Sequence, residues 1–261
     1  MSGRARCCRG SKLRRPRREG ETGPVTSDYI DQRLAELAAL HSLPNGATDQ
    51  LKRLLLALAA APDPHTTITE PAEAVDLHVA DSLVALQVDA VRTAGSIVDI
   101  GAGAGFPGLP LAIALPDATF DLLDSATRKV DLISRLATAA SIANARGHAA
   151  RAEEWATGDG RATYDVATAR AVAPLAVLAE YAAPLLKQEG LLVAWKGARD
   201  ETEEAAGRRA AEQLGMRPAG VLSVHPYPSA RDLHLHLYLK QSATPDRFPR
   251  RPGVAAKRPL A

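Results

Sequence analysis

Cysteine is scarce in this chain. Only Cys7 and Cys8 occur, side by side in an arginine-rich stretch. That pair excludes a disulfide framework and a spaced set of thiolate metal ligands, and no metal is expected. Long apolar runs are missing too. The longest, Leu54 to Ala61, is far short of the roughly 20 residues needed to cross a bilayer, so no membrane association is expected. Arg14-Arg15 and Arg17-Arg18 are not followed by the apolar stretch that an export signal requires. The expected location is therefore the cytoplasm. Aromatics make up only 4% of the residues. The core must be built from alanine, leucine and valine, and 46% hydrophobic content is ample for one.

Charge is present in both signs but unevenly placed. The whole carries +2, yet residues 1–20 carry +7 and residues 246–261 carry +4, leaving −9 for the body. An acidic body does not favour a polyanion. Basic ends do, because each lysine or arginine at a phosphate releases a counterion.

Residues 1–26 read as a basic tail. From Ser27 the apolar spacing becomes helical, with Ile30, Leu34, Leu37 and Ala38, then Leu51, Leu54, Leu55 and Leu58. Pro44-Asn45-Gly46 marks the turn between them. A third helix is expected from Pro71 to about Val88. Residues 27–92 thus form a helical cap. From Ser96 the pattern alternates between strand and helix, the mark of a parallel sheet covered on both faces. Strands are expected at 96–101, 119–124, 146–150, 164–169 and 191–196, with a closing hairpin at 221–225 and 233–240. Helices are expected at 109–115, 127–144, 174–187 and 200–214. The domain spans 93–242, and 243–261 form a second basic tail. A monomer is the expected state.

The strongest local signal is Val98-Asp99-Ile100-Gly101-Ala102-Gly103-Ala104-Gly105-Phe106-Pro107-Gly108. A buried strand runs into a glycine-rich turn that opens a helix, the place where an open α/β sheet takes a nucleotide-like ligand. Gly103-x-Gly105-x-x-Gly108 fits a dinucleotide fingerprint. Asp99-x-Gly101-x-Gly103-x-Gly105 fits the first motif of class I methyltransferases. Three features favour the second. Asp99 stands where an acid can hold the cationic methionine end of S-adenosylmethionine. Pro107 and Pro110 are unusual beneath a pyrophosphate. The closing hairpin fits the extra strand pair of methyltransferase sheets.

Asp124 ends the second strand, where an acid can accept both hydroxyls of a ribose or begin the next helix. Arg151 to Trp155 follow the third strand; Glu153 and a backbone amide there can read an adenine edge, or the segment simply starts a helix. Arg170 and Lys196 end the fourth and fifth strands, where cations face ligands. No cysteine lies near the sheet to serve a cytosine-type nucleophilic mechanism. No Asn/Asp-Pro-Pro-aromatic motif for exocyclic amines is present. Guanine N7 has a lone pair and no proton, so its methylation needs alignment rather than a base.

These segments together resemble the RsmG/GidB family, glucose-inhibited division protein B, small-subunit rRNA guanine-N7 methyltransferases. The likeness covers about residues 64–261. It rests on Leu77-His78-Val79-Ala80-Asp81-Ser82-Leu83, on Gly105 to Leu111, and on Leu122-Leu123-Asp124-Ser125 with Arg128-Lys129-Val130. It continues through Arg151 to Trp155, Thr168 to Ala171, Trp195-Lys196-Gly197, and the ending Phe248 to Leu260. Leu77 stands where the family usually has arginine. The resemblance implies a class I Rossmann-like methyltransferase, with a mostly parallel seven-stranded sheet, helices on both faces and a small N-terminal helical cap. It implies S-adenosylmethionine as cofactor and 16S rRNA or the small ribosomal subunit as partner. Asp99, Gly101, Gly103, Gly105, Phe106, Asp124, Ala152, Glu153 and Arg170 are the expected cofactor contacts. Arg170 and Lys196 are expected to act in catalysis, and Arg128, Lys196 and Arg231 to face RNA. The rival readings are a small-molecule methyltransferase, an NAD-dependent oxidoreductase, for which no Tyr-x-x-x-Lys relay is evident, and a non-catalytic RNA-binding protein.

Overall fold

The structure, a computed structural model, describes residues 24–260. Of the expected basic tail, residues 1–23 lie outside the described residues. The next three already belong to the first helix, α1 (Pro24–His41). Helix α1 turns into α2 (Ala47–Ala59), which buries Leu51, Leu54, Leu55 and Leu58 on one face. The expected regular third helix is interrupted. It starts as α3 (Pro71–Ala74), widens into a π-helical segment at Val75–Ala80, and resumes as α4 (Asp81–Leu83). It ends in a 3-10 turn at Val84–Gln87. Widened turns of this kind occur preferentially at functional sites, and this one contains His78. A short α5 (Asp89–Arg92) leads to the sheet.

Beyond it come β1 (Ser96–Ile100), α6 (Gly108–Ala114), β2 (Thr119–Asp124), α7 (Thr127–Ala139), β3 (Ala145–Ala149) and α8 (Ala152–Trp155). The second half holds β4 (Tyr164–Arg170), α9 (Leu175–Ala182), β5 (Leu186–Lys196) and α10 (Glu201–Gln213). It closes with β6 (Met216–Val224), β7 (Leu233–Lys240) and α11 (Val254–Lys257). The strand order is β3-β2-β1-β4-β5-β7-β6. β1 to β5 pair in parallel, and β7 enters antiparallel between β5 and β6.

Alternation along the strands splits the core in two. Ile97, Phe120, Val166 and Val193 pack on the side of α1, α2, α6 and α7. Val98, Leu123, Ala167 and Leu192 pack on the side of α9, α10 and Phe248.

Four element boundaries differ from expectation by several residues, for local reasons. Helix α7 stops at Ala139 rather than Asn144. Ser141 takes a left-handed φ of 54°, and the Asn144 side-chain amide donates to the carbonyls of Ala112, Leu115 and Ala118. Helix α9 ends at Ala182, with Ala183 as its cap still bonded to the Ala179 carbonyl, because Pro184 has no N–H to continue the ladder. The chain then passes at once into β5, five residues earlier than expected. β6 begins at Met216, not Val221, and carries Pro218. It is an edge strand with a shift of register at Pro218/Gly220, the setting in which a strand tolerates proline.

Candidate active site

The C-terminal ends of β1, β2, β4 and β5 share one edge of the sheet, and the strand order reverses between β1 and β4. In such sheets the crevice at this reversal binds the ligand. The loop after β1 is shaped by close approach. Gly101 has φ +68°, and a Cβ there would sit 2.7 Å from a Val172 methyl. Gly105 has φ +94°, and its Cβ would meet Leu109 at 2.5 Å. Neither position takes a side chain without strain.

A cavity of about 150 Å³ opens beside the loop, lined by Gly101, Asp124, Ala152 and Glu153 together with Val172 and Tyr181. Four of the expected cofactor residues therefore meet. Asp124 is nearly buried. Its Oδ2 accepts from the Gly103 amide at 3.1 Å and from Lys129 Nζ at 3.1 Å, and its Oδ1 accepts from the Ala126 amide at 3.0 Å. It thus ties β2 to the glycine loop while still lining the cavity. Glu153 lines the same cavity, but its Oε1 already accepts from the Gly253 amide at 2.8 Å. The C-terminal segment is held against the cofactor side by that bond. Phe248 is buried there, and Arg250 forms a two-pronged ion pair with Glu180, whose side chain is 0% exposed.

The other expected cofactor residues lie outside this cavity's wall. Gly103 sits in the loop and uses its amide on Asp124. Asp99 is 1% exposed. Its Oδ1 accepts from the Thr168 hydroxyl at 2.8 Å and its Oδ2 from the Gly108 amide at 3.0 Å. Asp99 therefore braces the loop from beneath. Burial pushes its carboxyl up to about 7, against the pull of those two donors. Phe106 stacks on His78, with centroids 4.5 Å apart and planes 17° from parallel. Arg170 reaches back to the widened turn. It pairs with Asp81 at 2.6 Å, donates to the Leu77 carbonyl at 3.3 Å, and lies 6.0 Å from the Phe106 ring centre. His78 is held neutral, its pKa lowered to about 4 by burial and by Arg170. Trp195 Nε1 donates to the Asp81 carbonyl at 2.9 Å. The His-x-x-Asp-Ser stretch thus clamps the ends of β4 and β5.

A second cavity, about 680 Å³, lies beyond Val172, which lines both. Lys196 is in its wall, paired with Glu203 at 2.6 Å, and Pro259 of the C-terminal segment forms another part. Arg128 is exposed in the first turn of α7. Arg231 is exposed in the loop between β6 and β7, donating to the Pro228 and Ala230 carbonyls. Both stand at the same sheet edge as Arg170 and Lys196, without touching them. Sequence reasoning missed Val172, Tyr181 and Glu203. Val172 lies in the loop after β4, Tyr181 in α9 and Glu203 in α10, and none carries a local motif.

No helix among the described residues is long and apolar enough to cross a membrane. No group of three or more His, Cys, Asp or Glu among them is placed to hold a metal.

Both the fold and the sequence have counterparts among known proteins. The solved structure of a mutant of MtNAS aligns with TM-score 0.50 over 82% of this chain and 77% of that one, at 12% identity, a likeness of fold alone. The ribosomal RNA small subunit methyltransferase G of Rubrobacter xylanophilus is 41% identical over 199 residues, 73% of this chain and 75% of that protein. Its counterpart in Deinococcus radiodurans is 38% identical over 218 residues, 81% and 85% of the two chains. The family model described as GidB, rRNA small subunit methyltransferase G, matches residues 50–233. By that match and those relatives, this chain belongs to the rRNA small subunit methyltransferase G family.

Proposed function

We propose that this protein transfers a methyl group from S-adenosylmethionine to N7 of a guanine in small-subunit ribosomal RNA, acting in the cytoplasm. The observation that carries this reading is the pair of cavities at the strand reversal, which share Val172. The first, at about 150 Å³, is smaller than the few hundred Å³ usual for a whole ligand, so it suits the adenosine end alone. The second has room for a base.

The residues of the first cavity fit the cofactor. Asp124 keeps acceptor capacity at the end of β2, where a ribose diol would meet it. The Ala152 amide has no hydrogen-bond partner among the described residues and lines the wall expected to meet adenine. Asp99 and Thr168 hold the glycine loop in shape from below. The cofactor supplies an electrophilic methyl group on a cationic sulfur. The protein's part is alignment. Guanine N7 has a lone pair and no proton, so no side chain would have to remove one, and what this chain's residues would contribute is orientation of the base against the methyl group as its bond to sulfur breaks. Arg170 fixes the end of β4 against the cap. Lys196 is the cation nearest the second cavity and serves to hold the target nucleotide. Arg128 and Arg231 offer further phosphate contacts along the same edge.

Calorimetric titration with S-adenosylhomocysteine tests the cofactor assignment. Micromolar binding, about −8 kcal/mol, is expected, with no comparable binding of NADH. Asp124→Ala should weaken it at least tenfold. Preference for NADH would reject the assignment. Transfer of labelled methyl to small-subunit particles, recovered as 7-methylguanosine, tests the reaction itself.

A further inference from the structure

The second cavity needs a group that chooses the base, and its polar residues differ in what they have left to offer. Asp200 spends its Oδ1 on the amides of Thr202 and Glu203 at the start of α10. Lys196 is engaged by Glu203. Glu203 itself is lopsided. Its Oε1 takes both the Leu175 amide, at 2.9 Å, and Lys196 Nζ, at 2.6 Å. Its Oε2 makes no hydrogen bond among the described residues. The side chain is about three-quarters buried, at 23% exposure. A half-used carboxylate in a cleft meant for a polyanion opposes binding unless it meets donors that repay its desolvation.

We propose that Glu203 reads the Watson–Crick edge of the guanine to be methylated, a role that rests on the methyl-transfer reading above. That edge of guanine presents two adjacent donors, N1–H and the 2-amino group. Adenine presents an acceptor at N1 and would be repelled. Enzymes that act on a base outside its stack read it by hydrogen bonds to this edge and by packing on its faces. Trp195, Pro174 and Pro259 supply apolar wall here. N7 lies on a different edge of the purine, so a base gripped by Glu203 leaves N7 free to meet the methyl donor, and Val172 walls both cavities. Lys196 completes the exchange. When guanine donors take over Glu203, the ammonium is released to a phosphate of the same nucleotide. The pair thus keeps both groups partnered when RNA is absent and offers each its proper counterpart when RNA arrives.

The test is an internal competition. Small-subunit rRNA is transcribed with a low fraction of inosine, which keeps N7 and N1–H but lacks the 2-amino group. After methylation, the RNA is digested and 7-methylguanosine is compared with 7-methylinosine, normalised to content. The wild-type protein should favour guanosine by about tenfold, the value of one good base contact. Glu203→Gln keeps an acceptor for the Leu175 amide. It should bring the ratio near one, with the protein still folded and S-adenosylhomocysteine affinity unchanged. Lys196→Met, which leaves Glu203 in place, should lower total methylation but keep the ratio near tenfold. A wild-type ratio in Glu203→Gln, or disappearance of the ratio in Lys196→Met, overturns the role of Glu203 while leaving methyl transfer standing. No methyl transfer by the wild-type protein overturns both.

Discussion

Asp99 shows how a single side chain serves a site without entering it. The motif marks it as a cofactor ligand, yet in the structure both of its oxygens are engaged by Thr168 and Gly108. The consequence is a pH-dependent stability with a definite sign. Its folded pKa of about 7 lies above the value of about 4 in an unfolded chain. Between those values the folded protein holds more protons, so this group's contribution falls as pH rises from about 4 to about 7 and is level above. Asp99→Asn removes that fall. Between pH 5 and 8 the variant should gain on the wild-type protein by about 2 kcal/mol in urea unfolding. A constant difference across that range would show that Asp99 is ionised throughout. His78 titrates in the opposite sense, stabilising as pH rises from about 4 toward 6.5, which is why the difference between the two proteins is the quantity to follow.

At the level of elements, the segment after β7 behaves as part of the domain rather than as a tail. Its anchor is Arg250 on Glu180, a carboxylate with no exposed side-chain surface. Arg250→Met strands that charge, which should cost about 3 kcal/mol. Arg250→Met with Glu180→Gln should recover much of that stability. A melting temperature unchanged by the single substitution would mean that the pair is not formed in solution. The sequence showed this anchor only through family likeness, since nothing in Phe248 to Leu260 is periodic. The strands were legible because alternation and local turn chemistry are properties of neighbours. So was the loop from Gly101 to Gly105, where geometry demands glycine. The widened turn around His78 was not, because its spacing still reads as helix. Nor were Val172, Tyr181, Glu203 and Gly253, which meet the site only once distant elements pack. The apolar spacing stays helical through Pro184, but α9 ends at Ala182 because proline has no N–H to sustain the helix.

For the whole molecule, charge is the property that reaches beyond the described fold. Residues 1–20 carry +7 on a chain of +2. Their removal should flatten the salt dependence of RNA binding by about 0.7 in log–log slope for each phosphate they neutralise, with cofactor affinity unaltered. An unchanged slope would remove that stretch from RNA binding. The tie between Glu153 and Gly253, one hundred residues apart, has a further consequence for how the protein is made. Every strand and the whole glycine loop emerge from the ribosome before the residues that finish the cofactor wall. A copy interrupted after Lys240 would hold the complete sheet but lack Arg250, Gly253 and Pro259. The same break that disables the cavity leaves a bare carboxylate inside α9. A deficit of a few kcal/mol raises the unfolded fraction on which proteases act. In an incomplete copy, loss of the C-terminal contacts to the site and loss of stability would therefore come together.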